Sequence, residues 1–189
     1  MRADAKLKRK QLIAAATEQF RTRASNEVTL EAIARQAGVG IATLYRHFST
    51  RDQLRQACAI DLFDTLDEVL AETIERFDAA PRAAWEGAIW RLADYGVGVL
   101  VDALAQEDPD AVPAELVAKR AQFFSRVQEL LDKAAEHGLV HPRLGPLELA
   151  AELIVATRPL PRAASRLFPD VRERMVRHML VAWRQEAGA

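Results

Sequence analysis

Within the stretch Gly-Ile-Ala-Thr-Leu-Tyr-Arg-His-Phe, residues 40–48, six side chains offer complementary chemistry: Ile41, Ala42, Thr43, Tyr45, Arg46 and His47. A threonine hydroxyl bonds base edges or phosphate, and a small apolar group lies against a thymine methyl. Phenol, guanidinium and imidazole groups bond phosphate oxygens and fix a register along a duplex. Such a set suits a nucleic-acid groove, provided one rigid element presents it.

The neighbouring sequence supplies that element. A short helix is expected over residues 30–37 with Thr29 as its N-cap. Gly38 gives the backbone freedom for a tight turn, and a second short helix is expected over 41–47. Ile33, Ala34, Ala37, Val39, Leu44 and Phe48 form the inner face, with Ala34 and Ala37 small enough for close approach. Two short helices on a glycine turn have helix-turn-helix geometry, in which the second helix enters the major groove. On the residues alone, the alternative is a helical hairpin within a bundle whose glycine only turns the chain.

Charge separates the two parts of the chain. Residues 1–58 hold 11 Lys/Arg against 5 Asp/Glu, while residues 59–189 hold 15 against 22. A basic end on an acidic body suits a protein of which only that end meets a polyanion. Half of the 189 residues are apolar and few are aromatic. That composition favours packed helices over sheets. One cysteine, Cys58, excludes an intrachain disulfide and fits a reducing compartment. No secretory leader and no membrane-length apolar run is recognised, so the expected location is cytoplasmic.

Around the short pair the periodicity predicts a helix over 4–22, with Leu12, Ile13, Ala16 and Phe20 on one face and a basic start. Thr50 and Gln53 form a capping box that opens a long helix to about 77. Further helices are expected over 81–105, loosened by Gly96 and Gly98, and over 113–136, 146–157 and 170–186. A loop is expected at 106–112 and a Pro-rich connection at 158–169. The fold class is all-α. Residues 1–50 are expected as a three-helix DNA-binding domain, and 51–189 as a larger helical domain for ligand binding, dimerisation or both.

The residues Leu12-Ile13-x-Ala15-Ala16, Phe20, Thr29-x-x-x-Ile33-Ala34, Ala37-Gly38-Val39, Thr43-Leu44-Tyr45-x-His47-Phe48 and Arg51-x-x-Leu54 together resemble the TetR family, over about residues 9–58. The resemblance implies a transcriptional regulator that binds a double-stranded operator as a homodimer. It implies a repressor released by a small-molecule effector. By this likeness Thr29, Tyr45, His47 and Arg51 match phosphate-contacting positions. Thr43 matches a groove contact, and Ile41, Ala42 and Arg46 tune which bases are read. Two departures stand out. Gly40 replaces a serine cap, and Ala24 replaces a glycine, so that the first turn is expected to be rebuilt through Asn26.

In the body, Trp85, Ile89, Tyr95, Phe123, Phe124 and Val127 are candidate effector-pocket residues, though helical spacing makes them core first. Arg91 and Asp94 are either inward polar anchors or a solvated pair. The helix at 146–157 is apolar on two faces, Leu147, Ala150, Ala151 and Ile154 on one, Leu149, Leu153 and Ala156 on the other. The last helix has an apolar arc about half its circumference wide. By resemblance these two helices pair with a second subunit, and Leu149, Leu153, Met175, Met179 and Trp183 are the expected interface. No constellation suggests catalysis, a cofactor or a metal. His137 and His141 are separated by Gly138, and Cys58 reads as a small buried hydrophobe. The rival readings are an activator, a ligand-independent DNA-binding protein, and a helical small-molecule carrier or enzyme with an incidental basic arm.

Overall fold

The computed structural model describes residues 2–23, 27–98, 112–158, 160 and 162–188. Among these residues all regular structure is helical: α1 (Arg2–Thr22), α2 (Leu30–Gln36), α3 (Ile41–His47), α4 (Arg51–Arg76), a 3-10 turn (Phe77–Ala79), α5 (Pro81–Asp94), α6 (Ala114–Glu136), α7 (Pro146–Thr157), α8 (Arg162–Leu167) and α9 (Val171–Ala187). No described helix is long and apolar enough to cross a membrane. The chain divides into two compact units. One runs to Phe63 and includes α6 as far as Lys119, and the other takes up Asp64 and Arg120 onward.

In the first unit α1 packs on α2, and α2 on α3. Leu12, Ala16 and Phe20 of α1, Ile33 of α2, Leu44 of α3 and Leu54 of α4 are almost fully buried. The Thr29 hydroxyl caps α2 by accepting from the Ala32 N–H at 3.1 Å. At the other end Gly38 has φ +68°, while the Gly38 and Val39 amides donate to the Arg35 and Ala34 carbonyls. This paired closure of a helix C-terminus needs a left-handed residue, which glycine accepts without steric cost. The Thr50 cap at the start of α4 also forms, with Gln53 N–H donating to its Oγ1 at 3.2 Å. The Gln53 amide oxygen reaches back one residue further than expected, to the Ser49 N–H at 2.9 Å.

In the second unit α5, α7 and α9 pack against one another. Trp85 of α5 meets Trp183 of α9 edge-on, with ring centroids 5.7 Å apart. The Trp183 indole N–H donates to Glu152 of α7 at 2.7 Å, joining the two last long helices. Asp67 of α4 accepts from Gln122 and Arg126 of α6 at 2.9 and 2.8 Å. This partly buried pair holds the Arg126 guanidinium above its ordinary pKa, chiefly through the hydrogen bond to Asp67.

Two boundaries differ from the expectation. The helix expected over 81–105 is broken after Asp94, because Gly96 takes φ +71° and the Tyr95 and Gly96 amides close the last turn. Val97 and Gly98 are helical again, and 99–105 lie outside the described residues. Gly98 then lies so close to α7 that its N–H donates to Thr157 Oγ1 at 3.0 Å. These glycines end one helix and allow a backbone approach, rather than loosening a continuous rod. Second, the connection at 158–169 contains α8. Arg-Ala-Ala-Ser-Arg-Leu is a run of fair helix formers, outweighed in the sequence reading by the prolines around it. The turn expected through Ala24 and Asn26 lies outside the described residues, as does nearly all of the loop at 106–112.

Candidate nucleic-acid interface

α3 is seated by its apolar residues. Leu44 is wholly buried and Phe48, at the helix end, nearly so. That anchoring turns the opposite side outward: Ile41, Ala42, Tyr45 and Arg46 are exposed, and Thr43 and His47 are half-buried. Gly40 caps α3 in an extended conformation without a side-chain hydrogen bond. Substituting glycine for a serine cap costs only a few tenths of a kcal/mol, so the helix keeps its start. The Arg46 guanidinium lies back along the helix, donating to Thr43 Oγ1 at 2.8 Å and to the Ala42 carbonyl at 3.3 Å. The two polar groups best able to read bases are thus coupled on one surface.

Thr29 is exposed while its oxygen serves the α2 cap. A hydroxyl has one proton and two lone pairs, so the proton stays available to an external acceptor. Arg51 is placed differently from the α3 residues. Its Nη1 donates to the Val28 carbonyl at 2.6 Å, and its guanidinium lies over the Phe20 ring, 5.7 Å from the centroid. One contact not singled out from sequence is Arg9 of α1 over Phe48, at 5.1 Å. It was one of several basic residues at the start of α1, and nothing in their spacing distinguishes it.

The candidate effector residues lie in the second unit. Trp85, Ile89, Phe123 and Val127 are buried, while Tyr95 and Phe124 are half-buried. Phe123 and Phe124 meet at 5.4 Å, whereas Trp85 faces Trp183. The Trp85 indole N–H is buried without a hydrogen-bond partner among the described residues. Arg91 and Asp94 do not pair with each other: Arg91 bonds Glu72 and Asp94 bonds Arg172, both in exposed ion pairs.

Of the expected interface residues, Leu149, Leu153 and Trp183 are 2%, 3% and 3% exposed within a single chain. They are core residues of α7 and α9, because α7 turns that face onto α5 and α9. The outward faces carry Leu147, Ala151 and Val155 on α7, with Met175, Met179 and Ala182 on α9. Met179 is half-buried and Met175 exposed. Among the described residues no cluster of His, Cys, Asp and Glu is disposed to hold a metal. His137 lies against the Phe77 ring, and His141 accepts from the Arg143 amide. Cys58 is fully buried, and burial pushes its thiol up to about 12.

A capped short helix, a left-handed glycine turn and a second short helix seated by Leu44 and Phe48 define a helix-turn-helix domain, here at the head of an otherwise helical chain. Residues 12–58 match the model of the bacterial regulatory proteins of the tetR family. The chain is 33% identical over 152 residues to the HTH-type transcriptional dual regulator CecR of Shigella flexneri, covering 78% of this chain and 63% of that protein. A TetR transcription regulatory protein from Mycobacterium vanbaalenii is 25% identical with a TM-score of 0.65, covering 96% of this chain and 98% of the other. A TetR regulator from Streptomyces coelicolor shares the fold at 24% identity and a TM-score of 0.67, covering 93% and 97%. RolR, solved with resorcinol, shares it at 19% and 0.51, covering 99% and 96%. The head of the chain, residues 12–58, belongs to the tetR family of bacterial regulatory proteins, and the chain spans under two thirds of the length of its Shigella relative.

Proposed function

We propose that this chain is a sequence-specific transcriptional regulator that binds an operator as a homodimer and is released from it by a small-molecule effector. The observation that carries the reading is α3 itself, with Ile41, Ala42, Tyr45 and Arg46 exposed around a buried Leu44. In a dimer two such helices enter successive major grooves, so the operator is an inverted repeat with half-sites roughly 34–36 Å apart or a multiple of that. The outward apolar faces of α7 and α9 supply the second-copy interface. Leu147 and Val155 are 72% and 71% exposed, an arrangement that favours burial against a like surface.

The effector site belongs to α5 and α6, around Trp85, Ile89, Phe123 and Val127. An indole N–H without a partner among the described residues, beside the Trp183 ring, suits an apolar molecule carrying a hydrogen-bond acceptor. RolR, a protein of similar fold, was solved with resorcinol, an aromatic ring that bears two hydroxyls. To release DNA, the effector must bind the non-binding conformation preferentially.

The test is selection of bound duplexes from a random pool by the purified protein at physiological salt. An inverted repeat is the expected result. Recovery of no preferred sequence by folded, effector-free protein would remove the reading and favour a helical carrier. One observation supports an activating role at some promoters as well: the Shigella relative is a dual regulator. The position of the recovered operator relative to a promoter separates the two signs.

A further inference from the structure

We propose that Arg51 is a positioning residue and not a phosphate ligand: it pins the Val28–Thr29 peptide and thereby sets the Thr29 hydroxyl for the DNA backbone. The inference rests on the DNA-binding reading above for its functional part, and on the geometry of the first unit for its structural part.

Arg51 is the first residue of α4, where a cation opposes the positive end of the helix dipole. The side chain turns to the protein. Nη1 donates at 2.6 Å to the carbonyl of Val28, 23 residues earlier, and the guanidinium plane lies over Phe20. Both receiving groups are buried: Phe20 is wholly so, and Val28 is 1% exposed. The bonded carbonyl belongs to the peptide that leads directly into Thr29. Thr29 is extended there, with φ −110° and ψ 151°, and this conformation lets its oxygen cap α2 at Ala32. Displacing the Val28–Thr29 peptide therefore moves both the cap and the hydroxyl proton that remains for a phosphate oxygen. Swinging the whole guanidinium out to a phosphate would give up a charge-assisted hydrogen bond and the ring contact. The planar guanidinium makes both contacts at once, which an ammonium point charge does not.

The two roles leave different signatures. A lost phosphate cation lowers the slope of log K against log salt by about 0.9. A lost hydroxyl contact lowers affinity without releasing a counterion. The experiment compares wild type, Arg51→Met, Thr29→Val and the double variant on the duplex recovered by selection, over a range of salt. The expectation is that each single substitution weakens binding about tenfold, the slope changes by less than about 0.3, and the double variant is no worse than either single one. A slope lower by about 0.9 with multiplicative losses overturns the proposal, as does unchanged affinity of Arg51→Met.

A readout independent of DNA is exchange of the Ala32 amide, which Thr29 bonds. It should quicken at least several-fold in Arg51→Met, and an unchanged rate overturns the clamp. If selection recovers no sequence, the DNA-binding reading fails while this measurement still judges the clamp. Should Arg51→Met not fold, a crystal structure of the wild-type complex decides. Arg51 on Val28 supports the proposal, and Arg51 on a phosphate ends it.

Discussion

Replacing Gly98 by alanine tests how the segment after α5 is held to α7. A Cβ at Gly98 would stand 2.5 Å from the Ile154 carbonyl oxygen, 2.6 Å from Thr157 Oγ1 and 2.9 Å from the Arg158 nitrogen. Two of these three neighbours are backbone, so relief requires the segment to move off α7. Overpacking of this kind costs about 1–3 kcal/mol. Parting Gly98 N–H from Thr157 Oγ1 adds about 0.5–1.5 kcal/mol. At about 2–4 °C per kcal/mol for a chain of this size, the combined loss lowers Tm by about 3–18 °C. Gly87 is the internal control, because a Cβ there meets nothing within 4 Å and the residue lies within α5. Gly87→Ala should therefore raise stability by about 0.5–1 kcal/mol, the helix-propensity difference. The assay is thermal unfolding followed by circular dichroism at one fixed protein concentration, since association shifts Tm. If Gly98→Ala melts with wild type while Gly87→Ala behaves as stated, the close approach to α7 does not exist.

Three further outcomes follow. Cys58 should resist alkylation at neutral pH until the protein is unfolded, as mass spectrometry after iodoacetamide treatment would report; burial raises its thiol from 9.0 to about 12. Because the unfolded thiol ionises first, stability is unaffected by this group below pH 9 and falls as pH rises from 9 toward 12. Arg46→Ala should cost about 1–3 kcal/mol and relax preference at one base position, while loss of a phosphate contact through Tyr45→Phe should weaken binding evenly across sequences; quantitative binding to single-base variants of the selected repeat distinguishes them. Leu147→Glu with Val155→Glu should yield a folded monomer by analytical ultracentrifugation, whereas Leu153→Ala should cost about 2–5 kcal/mol of stability.

The DNA-binding head was legible because local rules agree there. Thr29, Gly38, Leu44 and Phe48 each have a role fixed by capping, turn chemistry or spacing, and the structure uses all four as expected. Arg51 was less legible. Its type and place at a helix start point equally to a phosphate and to a carbonyl 23 residues away, and sequence carries no signal for the latter. The α5 boundary was missed for a related reason. A glycine within an apolar periodicity reads as a weak point in a helix, and only the φ +71° at Gly96 makes it an end.

The two faces of α7 show where periodicity stops being informative. Leu147, Ala151 and Ile154 mark one stripe, Leu149, Leu153 and Ala156 another, and hydrophobicity ranks neither above the other. Which stripe enters the core is set by partners distant in sequence: α5 and α9 take Leu149 and Leu153, and the Trp183 N–H on Glu152 locks that choice. An apolar face covered by its own chain contributes to the stability of the protomer. Leu147 and Val155 stay exposed, and burying a side chain of this size is worth about 1.5–3 kcal/mol. In the proposed homodimer, association acts on the stripe that the protomer leaves over. For that reason the same helix separates the two substitutions: charge at Leu147 and Val155 should change assembly and spare folding, while truncation at Leu153 should do the reverse.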